Sequence, residues 1–137
     1  MRRLHRVPLS PPAVDVLREL HELTGKGKLL FPSIRTVREP MSECTLNAAL
    51  RRLGYGKDEM TPHGFRASAS TLLNESGKWS VDAIERQLGH VEANEVRRAY
   101  ARGQHWEERV EMAAWWARFL EQLRSRMDTK PKISLVA

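Results

Sequence analysis

Three short stretches of the chain carry side chains suited to chemistry. The first is Thr61-Pro62-His63-Gly64-Phe65-Arg66, where a threonine and a proline stand ahead of a histidine and an arginine three residues apart. Thr61 is suited to cap a helix and Pro62 to occupy its first position, so His63, Gly64 and Arg66 fall in the opening turn. Side chains three apart project from one helix face. A helix N-terminus offers N–H groups and partial positive charge, a setting for an anion. Gly64 would let a phosphate approach the backbone closely. Arg66 supplies a fork for phosphate oxygens, and His63 can move a proton near neutral pH. The second stretch is Gln87-Leu88-Gly89-His90, in which a left-handed Gly89 would turn His90 out of the preceding helix. The third is Tyr100, one of two tyrosines, with Arg97, Arg98 and Arg102 around it. Those arginines would hold a phosphate near the phenol and favour its ionised form. Read singly, each stretch has an ordinary explanation: an exposed first turn, a surface histidine after a helix end, a tyrosine in a core or an interface.

The elements that must position these groups are mostly helical. Residues 3–9 read as a short strand ending at Pro8, and Ser10-Pro11-Pro12 opens a helix with Val14, Leu17 and Leu20 on one face, ended by Gly25. Lys26 to Pro40 reads as loop, with Leu29-Leu30-Phe31 as a candidate buried strand. A second helix runs from Ser42 to Gly54, and a third from Thr61-Pro62 to Gly77. A fourth starts at Ser80, has Val81, Ile84 and Leu88 on one face, and closes at Gly89. Residues 93–102 suggest a short helix, about 104–127 a long one, and 128–137 an extended tail. In the long helix Trp106, Val110, Ala113, Ala117, Leu120 and Met127 line one face, while Met112, Trp115, Trp116 and Phe119 widen the apolar arc. Such a helix needs cover on two sides, from its own domain or from another protomer.

Composition narrows the class. The chain has 137 residues, 41% hydrophobic and 29% charged, with a formal charge of +6. That describes one folded domain and excludes general disorder. No apolar run reaches the length of a membrane span, and no signal-peptide pattern opens the chain, so an intracellular location without a membrane partner is expected. A lone Cys44 excludes an internal disulfide or a cysteine-based zinc site, and no metal is expected. The excess charge sits at the ends: residues 1–40 carry +4, 41–90 carry none, and 91–137 carry +2. A polyanion surface would therefore need both ends together, although lysine and arginine also simply solvate helices.

Taken in order, the motifs change meaning. His-x-x-Arg at a helix start, then Leu-Gly-His, then a tyrosine ten residues after that histidine resembles the active-site region of tyrosine recombinases. The closest likeness is to phage-type integrases of satellite phages and genomic islands, the P4-like group. The phrases Leu4-His5-Arg6-Val7-Pro8-Leu9-Ser10, Ser70-Thr71-Leu72-Leu73-Asn74-Glu75, Ile84-Glu85-Arg86-Gln87-Leu88 and the pair Trp115-Trp116 fit as well, so the likeness covers nearly the whole chain. It implies a mainly α catalytic domain of the DNA breaking-and-rejoining type with a minor β element, acting on double-stranded DNA. It also implies a role for each residue: Tyr100 the nucleophile forming a 3′-phosphotyrosine, Arg66 the phosphate clamp, His63 the proton acceptor, His90 a phosphate hydrogen-bonder. Gly64, Arg97, Arg98 and Arg102 would contact DNA phosphates. The covalent link conserves the phosphodiester energy, so no cofactor is called for.

The pattern is incomplete. The family carries a further arginine in an Ala-Arg-x-x-Glu-like helix start and a lysine in a hairpin, and neither stands ahead of residues 3–9. The expectation is the C-terminal part of a catalytic domain, cut at its N-terminal side over 1–127, that does not recombine DNA alone. Losing one clamping charge costs about 10²–10³-fold in rate. An alternative is a non-catalytic integrase remnant that binds DNA or a full-length partner through its basic ends and last helix, which also raises homo-oligomer formation. A helix-turn-helix reader is disfavoured by the Gly77-Lys78-Trp79 loop and the neutral middle segment.

Overall fold

A computed structural model describes residues 5–89 and 105–128. Within them the chain forms α1 (Pro11–Thr24), α2 (Glu43–Arg52), α3 (Pro62–Glu75), α4 (Val81–Leu88) and α5 (Trp106–Asp128). The helix starts lie where the sequence signals place them, behind Ser10, Ser42, Thr61 and Ser80. Two of these residues cap through the side chain: Thr61 Oγ1 accepts the Gly64 N–H at 3.0 Å, and Ser80 Oγ accepts the Ala83 N–H at 3.3 Å. Ser10 and Ser42 make no such bond. Gly89 ends α4 at φ +69°, in the left-handed region that glycine enters without steric cost. Gly25, by contrast, ends α1 in a right-handed conformation, φ −65°.

α3 packs on α4, and α5 packs on α4 and on α1. The core sits where the first three meet: Leu73, Ile84 and Met112 are buried, with Trp79, Leu88, Trp115 and Trp116 around them. Burying one such aliphatic side chain contributes about 1.5–3 kcal/mol. Trp79 meets Trp115 edge-on at 6.1 Å, and Trp115 stacks on Phe119 at 5.3 Å. α1 buries no residue fully, and α2 buries only Leu50.

Five sequence expectations about the elements change. Residues 5–9 form no strand; Pro8 has no N–H to give, and the Arg6 carbonyl is taken by a side chain, that of Arg109. Leu29-Leu30-Phe31 is not a buried strand, since Leu30 and Phe31 are 44% and 51% exposed. Beside it stands one antiparallel bridge, Pro32 to Pro40, flanked by bonds from Met41 N–H to the Phe31 carbonyl and from Ser33 N–H to the Glu39 carbonyl. Two prolines facing each other lack the donors to extend a ladder. In α4, Val81 is exposed and Ala83 is buried with Ile84. In α5 the side turned inward is that of Met112, Trp116 and Phe119, expected only as the widening of the arc, together with Arg109, while Val110 and Leu120 of the expected main face are 42% and 46% exposed. Helix α5 runs through Asp128, where the tail was expected to begin. Residues 129–137, the expected helix over 93–102 and the start of the expected strand lie outside the described residues.

Candidate functional site

The opening turn of α3 carries His63, Gly64 and Arg66. His63 is exposed; Gly64 and Arg66 are half-buried. The Gly64 N–H is spent on its own cap, Thr61, and Pro62 has no N–H, so neither serves an anion at this turn, and the side chains of His63 and Arg66 are the charged candidates. Gly64 also answers a packing demand, since a Cβ there would stand 3.1 Å from Met60 Sδ.

Arg66 reaches across to the last turn of α4, where its Nη2 donates to the Leu88 carbonyl. The two motifs, 22 residues apart in sequence, thus meet at one place. A carbonyl at a helix C-terminus carries partial negative charge, which suits a guanidinium. The five N–H groups of a guanidinium let it hold one carbonyl and address further acceptors. His90 follows Gly89 directly in the chain; His90, Arg97, Arg98, Tyr100 and Arg102 lie outside the described residues.

The end of α4 is held from a second side by Arg109, which is only 2% exposed. Its Nε donates to Gln87 Oε1 at 2.9 Å and its Nη2 to the Arg6 carbonyl at 2.5 Å, while its guanidinium lies 5.8 Å from the Trp106 ring centre. Burial pulls its pKa below the usual arginine value, and the nearby charge of Arg86 adds to this. One buried fork therefore ties α5, the last turn of α4 and the extended segment before α1 together. Sequence reasoning missed Arg109 because a charged residue is not expected at a core position. The signal was its place on the 109, 112, 116, 119 stripe.

The start of α4 is also tied to α5. Glu108 accepts the Ser80 N–H at 2.6 Å and the Ser80 hydroxyl at 2.9 Å, and its Oε2 lies 3.2 Å from His105 Nδ1. Burial pushes the Glu108 carboxyl up, but the bonds from Ser80 and His105 outweigh it and hold the group below the ordinary value. His105 takes φ +44°, an uncommon conformation for a non-glycine residue, and its carbonyl accepts the Arg109 N–H. Adjacent residues of the first turn of α5 thus grip both ends of α4.

His5 also lies at this end. A Cβ on Gly89 would stand 3.4 Å from His5 Nε2 and 3.6 Å from its Cε1. The string Ala117-Arg118-Phe119-Leu120-Glu121 matches the missing family pattern only in letters, because it lies in the middle of α5. Among the described residues no cluster of histidine, cysteine, aspartate and glutamate could hold a metal ion, and no helix is long and apolar enough to cross a membrane.

Comparison with known proteins agrees with the convergence of motifs. The model of the phage integrase family matches residues 1–106. An integrase of Enterobacteria phage P4 is 47% identical over 128 residues, covering 92% of this chain and 29% of the phage protein. The putative protein IntB of Escherichia coli strain K12 is 46% identical, covering 92% of this chain and 32% of its own length. The prophage integrase IntA of the same strain is 46% identical over 117 residues, covering 85% and 28%. The chain thus spans less than a third of each of these relatives. No solved structure matches it. On its own motifs and on these matches, the chain belongs to the phage integrase family, the P4-like tyrosine recombinases.

Proposed function

We propose that this chain is the C-terminal catalytic part of a site-specific DNA recombinase. Tyr100 attacks a backbone phosphate, forms a 3′-phosphotyrosine and releases a 5′-hydroxyl; the 5′-hydroxyl of a second strand then reverses the step. Arg66 clamps the non-bridging oxygens as charge builds on the phosphorus centre, His63 accepts and returns the phenol proton, and His90 hydrogen-bonds the phosphate. Gly64, Arg97, Arg98 and Arg102 lie along the DNA backbone. The observation that carries this reading is the bond from Arg66 to the Leu88 carbonyl, which joins the His-x-x-Arg turn to the Leu-Gly-His turn.

The test uses nicked suicide duplexes and a denaturing gel. A covalent adduct that disappears in Tyr100→Phe establishes the nucleophile. Adduct formed only when the upstream portion of a relative is added supports a split catalytic domain. An adduct that persists in Tyr100→Phe overturns the assignment.

A further inference from the structure

Resting on that reading, we propose that His5 is a DNA-phosphate contact of the same site, set in place by Arg109. Its imidazole edge lies over Gly89, with Nε2, Cε1 and Cδ2 at 3.4, 3.6 and 3.7 Å from the position a Cβ would take. Gly89 is the residue between Leu88, whose carbonyl receives Arg66, and His90. The ring thus borders the point where the two motifs meet, although it stands 84 positions before Gly89 in the sequence.

This placement has a built support. The neighbouring residue, Arg6, gives its carbonyl to the buried Arg109, which also holds Gln87 on the last turn of α4. Pro8, two residues further on, is buried. The backbone on the far side of His5 is therefore pinned to the same helix end that the ring covers, while the imidazole itself stays exposed to an incoming ligand. An exposed imidazole offers one N–H when neutral and two when charged. Held over Gly89, next in the chain to the carbonyl that receives Arg66, it adds a donor to the site. Arg109 in this scheme is a positioning residue.

The experiment uses the whole chain with Tyr100→Phe, so that binding is read without strand cleavage, and a short duplex DNA as probe. The imidazole cross-peaks are followed by NMR during titration at about pH 6, where an ordinary histidine is mostly charged. The same chain with His5→Gln is compared for affinity against salt. Expected are a shift of the His5 cross-peak with His21 of α1 unmoved, and, in His5→Gln, affinity several-fold lower with a salt slope reduced by about one. Arg109→Lys, which keeps the charge but cannot reproduce the fork, is expected to shrink the His5-dependent loss. DNA binding with a silent His5 cross-peak and an unchanged slope, even if His5→Gln melts earlier, makes the ring a mere cover for the helix end and overturns this assignment alone. No binding by the unsubstituted chain at low salt overturns the DNA reading, and the His5 assignment with it.

Discussion

Arg109 carries a charge into the interior, and its value lies in the acceptors it satisfies. Gln87 Oε1 and the Arg6 carbonyl both depend on its fork. Arg109→Met fills similar space but strands both acceptors, each at about 1–3 kcal/mol. We expect a loss of about 2–4 kcal/mol, read as a lower urea midpoint with unchanged slope. Gly89→Ala tests the opposite face of the same helix end. Alanine at φ +69° is strained, while its Cβ would meet the His5 ring at ordinary contact distance, 3.4 Å, so a cost of about 1–2 kcal/mol is expected. If the ring contributes to that cost, the penalty falls when Gly89→Ala is made together with His5→Ala, as a double-mutant cycle measures.

At the scale of the element, α4 is a short helix whose placement is imposed from both ends. Glu108 supplies the grip on its start, and this grip depends on pH. Because the folded chain holds the Glu108 carboxyl below its ordinary 4.5, ionised Glu108 stabilises the fold. A depressed carboxylate gives that stability in full above the unfolded value, and it is lost as pH falls from about 4.5 through the lower folded value. Thermal melts between pH 3 and 7 are expected to show a steeper acid decline for the natural chain than for Glu108→Gln; parallel curves would contradict this role. Ser80→Ala removes the side-chain cap of α4 and the hydroxyl bond to Glu108 while leaving the backbone N–H bond in place, and about 1–2 kcal/mol should go with them. The helix starts were legible because serine, threonine and proline act locally. The inward faces of α4 and α5 were less so. Val81, Ile84 and Leu88 fit the i, i+3, i+7 spacing of one face, yet Ala83, adjacent to Ile84, is buried where Val81 is exposed, a choice made by the neighbouring helices. In α5 a hydrophobicity reading had to skip Arg109 and so set its main face on Val110 and Leu120. The meeting of Arg66 with Leu88 was foreshadowed by motif order, whereas the approach of His5 to Gly89 comes from tertiary contact that no local pattern encodes.

Across the whole molecule, burial is uneven, and stability should follow it. Leu73, Ile84 and Met112 join α3, α4 and α5, the helices that carry the described site residues. Towards the other end, Leu23, Ile34, Val37 and Leu53 are each at least 67% exposed, and α2 contributes one buried side chain. Regions with few buried apolar contacts open at low free-energy cost, so amide exchange should be slowest at the centres of α3, α4 and α5 and faster by orders of magnitude in α2. The same contrast should appear in substitutions. Ile84→Ala empties a fully buried position and is expected to cost about 2–5 kcal/mol, enough to unfold a marginal chain, whereas Leu53→Ala should stay within about 0.5 kcal/mol. Ile84→Val, at about 1 kcal/mol, keeps the comparison measurable if the alanine variant does not fold. Equal protection in α2 and α4, or equal costs at Leu53 and Ile84, would mean that the two halves share one cooperative core. The site would then rest on all five helices rather than on three.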